Sequence, residues 1–198
     1  AIGDPGKGHS RVIESDHAVI VGWSARVVEI LQELAIANES LPDAAVVVLG
    51  SEGKEVMDDH LRLTFRDRRT TRVITRSGPT AMLASLRQAG AAEARPAVVL
   101  ATCDPAASED AKLASDAHAI KVVLALFACV AEDSALTVVA EVFEPRNRTV
   151  VEGIAPGKVV VVDAEDILAK LMVQTSRTSG LAIVYAELLS FSGCEIYY

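Results

Sequence analysis

The chain has 198 residues, of which 51% are hydrophobic and only 4% are aromatic. This is enough apolar material for one domain with an aliphatic core, a composition typical of parallel strands covered by helices. A formal net charge of −8 disfavours nucleic acid and anionic membranes as partners.

The first 16 residues are polar, and we interpret 1–16 as a linker that enters the domain. Val-rich apolar runs then alternate with helical patterns as far as residue 163. The runs predict strands over 17–22, 45–49, 72–75, 97–101, 136–141 and 158–162. The helical patterns cover 25–37, 80–89, 108–130 and 147–152. Most runs are continuously apolar, which predicts strands buried on both faces and a Rossmann-like, doubly wound parallel α/β sheet over 17–163.

The end of the chain has a different pattern. Residues 164–174 and 179–189 predict two helices, each with an apolar face, within a crossover segment over 164–190. These faces need a surface to cover them, and the sequence leaves two alternatives open: a partner subunit or their own domain. We interpret 191–198 as the start of a further lobe.

The turn after the first strand departs from the dinucleotide-binding signature G-x-G-x-x-G. Gly22 keeps the first glycine, whereas Ser24 and Val27 replace the second and third. Ser24 crowds the approach of a phosphate, although its hydroxyl can cap the following helix. The pattern therefore favours an architectural turn, with Gly22 and Ser24 as the nucleotide-binding candidates of the alternative.

Acidic side chains follow the predicted strands at their carboxyl ends, where ligands of open α/β sheets bind. Asp104, Asp110 and Asp116 come after the fourth strand, and Glu141 ends the fifth. Converging carboxylates suit a hard cation such as Ca²⁺, which takes several oxygen ligands. The alternative is that acids at a helix start face solvent and interact with the helix dipole.

The histidines indicate no catalytic site. His9, His17, His60 and His118 lie in no nucleophile elbow, HExxH motif or other recognisable acid–base arrangement. We therefore expect a regulatory module rather than an enzyme.

Several segments together resemble the cytosolic domain of the Castor/Pollux family of ion channels. The distinctive ones are VIE at 12–14, HAVIVGWS at 17–24 and LAIANESL at 34–41. Further similar segments follow in order at 54–55, 76–78, 98–101, 115–117, 138–141, 177–182 and 193–195. The Ala- and Val-rich texture favours a bacterial relative over a plant one.

The resemblance implies a fold of the RCK type (regulator of K⁺ conductance), with a Rossmann-like lobe, a helical crossover that dimerises and a C-terminal lobe. Such domains form a gating ring at the cytoplasmic face of a membrane, below a tetrameric cation pore. The resemblance also implies Ca²⁺ regulation, with Asp116 and Glu141 near the positions of known ligands. Phe143 stands where a second glutamate would be expected.

Two functions follow as hypotheses. The first is a ligand-sensing domain of a cation channel, responsive to Ca²⁺, that acts allosterically on a pore in the same chain and assembles through 164–190. The alternative is a nucleotide-binding regulatory subunit of a TrkA/KtrA-like potassium uptake system. The pattern at Ser24 and Val27 argues against the alternative.

Overall fold

The computed structural model describes residues 10–178 and 180–191, which form a six-stranded, all-parallel sheet flanked by helices. The strands are β1 (Ala18–Val21), β2 (Ala45–Gly50), β3 (Arg72–Ser77), β4 (Pro96–Val99), β5 (Thr137–Glu141) and β6 (Val159–Val162). The helices are α1 (Arg26–Ala37), α2 (Lys54–Thr64), α3 (Leu83–Gln88), α4 (Glu109–Phe127), α5 (Pro145–Glu152), α6 (Ala164–Arg177) and α7 (Leu181–Leu189). The predicted Rossmann-like fold is confirmed.

The strand order is β3-β2-β1-β4-β5-β6. The direction of winding therefore reverses between β1 and β4, which pair in parallel from Val19↔Ala97 to Val21↔Val99. In sheets of this kind the loops that follow the two central strands diverge and leave a cleft. The topology thus places a ligand cleft beyond Val21 and Val99.

Alternate side chains of the central strands enter two cores. Val19 and Val21 pack with α3, α4 and α5 on one face, and Ile20 packs with α1 and α2 on the other. All six residues of β2 are buried, as a continuously apolar strand requires.

Helix α2 was not predicted from the sequence. Its segment is dominated by charged residues, and only Met57 and Leu61 are buried. Met57 and Leu61 lie one turn apart on an apolar face, so the helical period is present, although the overall polarity of the segment is typical of a loop. Helix α3 is also shorter than the predicted 80–89.

The expectation that the strands are buried on both faces is wrong at one side of the sheet. Val139 of β5 is 37% exposed and Val160 of β6 is 57% exposed. Neither α6 nor α7 contains a buried residue. This end of the described chain therefore has an uncovered apolar surface. Among the described residues, no helix combines the length and the apolar character needed to cross a membrane.

The segment that precedes β1 packs on the domain where the structure describes it. Val12 is buried, and its N–H donates to the carbonyl of Gln88 at 2.8 Å. Arg72 donates from both Nη atoms to the Glu14 carboxylate, at 3.0 and 2.8 Å. Residues 1–9 of the predicted linker and 192–198 of the predicted further lobe lie outside the described residues.

Candidate functional site

A cleft of about 230 Å³ lies beyond the carboxyl ends of β1 and β4, at the point where the strand order reverses. One wall is the turn from Trp23 to Arg26, and the other is the loop 101–104. The lining carries one basic side chain, Arg26, and one acidic side chain, Asp104.

The turn after β1 is closely packed against the sheet. Gly22 has φ +123°, and a Cβ there would stand 3.0 Å from the Cβ of Leu100. The glycine is therefore required by the backbone and by the neighbouring strand. Val27 is fully buried against the sheet, and the Ser24 hydroxyl does not cap α1, contrary to the prediction.

Trp23 links this turn to α2. Its ring meets His60 edge-on, with the ring centroids 5.6 Å apart, and its Cβ lies close to Gly50 at the end of β2. The indole thus fixes one wall of the cleft. Because α2 was not among the predicted helices, this contact was not predicted.

Glu141 lies at the end of β5 with its carboxylate buried between two proton donors. Arg26 of α1 donates from Nη1 to Oε1, and the Ala101 N–H donates to Oε2 at 3.0 Å. Glu141 is 8% exposed, whereas the Arg26 side chain is 35% exposed at the mouth of the cleft. A guanidinium thus stands where a cation was predicted.

Asp116 is completely buried on α4, and protein donors surround its carboxylate. Oδ1 accepts the N–H of Phe143, while Oδ2 accepts the N–H of Glu144 and the side-chain amide of Asn147, all at 2.9 Å. Asp116 therefore anchors the loop that connects β5 to α5. Phe143, the departure noted in the sequence, contributes its backbone to this anchor.

The other two predicted ligands, Asp104 and Asp110, do not form a group with Asp116 and Glu141. Asp110 is exposed in the first turn of α4, and Asp104 accepts the N–H of Ala106 at 2.8 Å within its own turn. In the part of the chain that the structure describes, no group of three or more His, Cys, Asp or Glu side chains is arranged to hold a metal. The four predicted carboxylates thus do not come together as one group in the described arrangement.

Two of the histidines, His17 and His118, lie outside the lining of the cleft. His17 is buried, with Nε2 3.3 Å from the carbonyl oxygen of Ala89. Nε2 of His118 lies 2.7 Å from the hydroxyl of Thr80, and burial lowers the pKa of this imidazole. Neither ring lines the cleft at Arg26.

The sequence matches known ion channels over almost its whole length. It is 36% identical to the probable ion channel CASTOR of Oryza sativa subsp. japonica over 191 residues, which is 96% of this chain and 21% of that protein. It is 38% identical to the ion channel DMI1 of Medicago truncatula, with 96% and 21% covered. The family model described as "Castor and Pollux, part of voltage-gated ion channel" matches residues 165–198.

The chain is similar, over almost its whole length, to a segment of the Castor and Pollux ion channels. It spans about a fifth of the length of these relatives. They are plant proteins and therefore give no support to the bacterial origin favoured by composition.

A solved structure supports the fold independently of the channel relatives. The TrkA-N domain of the inner membrane protein ybaL from Escherichia coli superposes with a TM-score of 0.57 at 18% identity. The superposition covers 82% of this chain and 98% of that domain. The chain thus has a Rossmann-like fold similar to that of this TrkA-N domain.

Proposed function

We propose that this chain is the ligand-sensing regulatory lobe of a Castor/Pollux-type cation channel. In this role it acts allosterically: a ligand that binds one arrangement of the assembled lobes more tightly shifts their equilibrium and pulls on the chain that leads to the pore. The observation that carries the proposal is the 36–38% identity to ion channels over 96% of the chain.

The described geometry is compatible with this role in two respects. Arg26 lines the cleft and its ion pair with Glu141 joins α1 to the end of β5, so a ligand that contacts Arg26 acts on a link between two separate elements. Helices α6 and α7 expose apolar side chains and have no buried residue, as expected of a segment that packs on another subunit.

The gene provides the first test. The proposal predicts that the coding sequence contains, upstream of this segment, at least two membrane-spanning helices with a pore segment between them. Sequencing of the flanking gene, followed by current recordings from the encoded protein in a bilayer, checks this. A gene that encodes this domain alone, or fused to a catalytic domain, would contradict the channel assignment and favour a separate regulatory subunit.

Calcium responsiveness is part of the proposal because the resemblance to the Castor/Pollux family implies it. Thermal unfolding with and without CaCl₂ tests it, because a ligand that binds only the folded state raises the unfolding midpoint. We expect Ca²⁺ to raise the midpoint and Glu141→Gln to weaken that effect, since Glu141 lies beside the cleft and its partner Arg26 is half-exposed. Asp116, enclosed by backbone donors, is not expected to contribute.

The same assay separates the alternatives. No effect of Ca²⁺ on the wild-type chain would contradict calcium responsiveness, and equal effects on the wild type and Glu141→Gln would contradict a role for Glu141. If NADH raises the unfolding midpoint of the wild type but not of variants substituted at Gly22 and Ser24, the nucleotide-binding subunit is favoured instead.

A further inference from the structure

We infer that a second cavity, between α2 and the edge strand β3, binds a phosphate-bearing small organic molecule. Its volume is about 390 Å³, within the range of small-molecule sites. Four basic side chains line it, Lys54, Arg62, Arg68 and Arg76, against a single lining carboxylate, Asp58; Arg62 also pairs with Asp59, outside the lining, at 2.7 Å. A positive cavity on a chain of net charge −8 favours an anionic ligand.

Arg76 is half-buried in this cavity, and each of its three nitrogens donates to a neutral oxygen of Ser10 or Thr75. Its Nε donates to the carbonyl of Ser10 at 2.7 Å, and Nη1 donates to the carbonyl of Thr75 at 2.8 Å. Within 10–178 and 180–191 it forms no ion pair; burial lowers its pKa, and the Asp58 charge offsets this only in part. A half-buried guanidinium with no carboxylate in direct contact is stabilised by an anion that enters the cavity.

Arg68 and Lys54 leave the cavity positive at its rim. The Arg68 guanidinium lies over the Phe65 ring, 5.9 Å from its centroid, and has no carboxylate partner in the described part of the chain. Lys54 pairs with Asp58, but that carboxylate also accepts the hydroxyl of Thr75. One acid thus accepts from two donors. Arg68 and Arg76 both retain N–H groups for a phosphate, whose oxygens suit the planar fork of a guanidinium.

Apolar residues also line the cavity. They are Leu61 of α2 and the consecutive residues Val73 and Ile74 of β3. Inorganic phosphate would leave this surface in contact with water, whereas an organic phosphate covers it with its body. The inference does not depend on the channel role, because it concerns a cavity that the cleft at Arg26 does not share.

Calorimetric titration of the chain with AMP, at constant ionic strength, tests the site. We expect saturable binding of AMP, none of adenosine, and weaker binding of inorganic phosphate. Arg68→Gln should lower the affinity for AMP at least about tenfold, the effect of removing one charge-assisted contact. Asp58→Asn should raise the affinity for AMP, because the one lining charge that repels a phosphate is removed. The amide can still form hydrogen bonds with Lys54 and Thr75. Damage to the fold would not increase affinity.

Arg66→Gln is the matched control. Arg66 is exposed two residues before Arg68 and does not line the cavity, so its removal changes the net charge equally. The inference is overturned if AMP does not bind, if Arg66→Gln and Arg68→Gln weaken binding equally, or if Arg68→Gln has no effect, which would place AMP elsewhere. Binding of a hexaglutamate peptide but not of AMP would also overturn it and indicate an acidic protein segment.

Discussion

Replacement of Asp116 by alanine should lower the free energy of unfolding by about 3–4 kcal/mol, one of the largest losses expected from a single substitution here. The carboxylate is fully buried and accepts three hydrogen bonds, from the N–H groups of Phe143 and Glu144 and from the Asn147 amide. Alanine leaves these donors without an acceptor and releases the start of α5. Urea unfolding followed by circular dichroism measures the loss.

Asp110→Ala on the same helix is the control. Asp110 is exposed in the first turn of α4, where a carboxylate interacts only with the helix dipole, so its removal should cost less than about 1 kcal/mol. Equal losses for the two variants would mean that Asp116 is no anchor. A preserved stability in Asp116→Ala would reopen the question of whether this carboxylate is available to an ion.

The fold could be predicted because its signal lies in local composition. Continuous Val-rich runs mark strands buried on both faces, and β2 is buried along its whole length. The signal failed where burial is partial. The segment Lys54–Thr64 has only Met57 and Leu61 buried; the two lie one turn apart, as in a helix, but the overall polarity of the segment is typical of a loop.

The candidate site was harder to predict because its contacts are distant in sequence. Asp116 and Glu141 were correctly identified as acids near the carboxyl edge of the sheet, but their environments depend on other elements. Arg26 reaches Glu141 across 115 positions of the chain. The donors to Asp116 are backbone N–H groups, which every non-proline residue has. Residue type alone therefore could not distinguish an anchor from a ligand.

The two alternatives for α6 and α7 can now be weighed physically. A pair of helices that packed fully on its own domain would bury several apolar side chains, yet no residue of either helix is buried. Their exposed hydrophobic residues are Ile167, Leu168, Met172, Val173, Ile183, Val184, Leu188 and Leu189. A contiguous surface of this kind is characteristic of a subunit interface, and we therefore expect the chain to self-associate through it.

Substitution of both Leu168 and Ile183 by aspartate should raise the dissociation constant at least about 100-fold, since each lost apolar side chain removes roughly 1.5–3 kcal/mol of burial. Light scattering after size exclusion, over a range of concentrations, measures this. Leu63→Asp is the control, because Leu63 is equally apolar and exposed but lies on α2. Packing on the same domain predicts a different result: a monomeric wild type, and a double variant that unfolds at lower urea. Undiminished association of the double variant would exclude this surface as the interface.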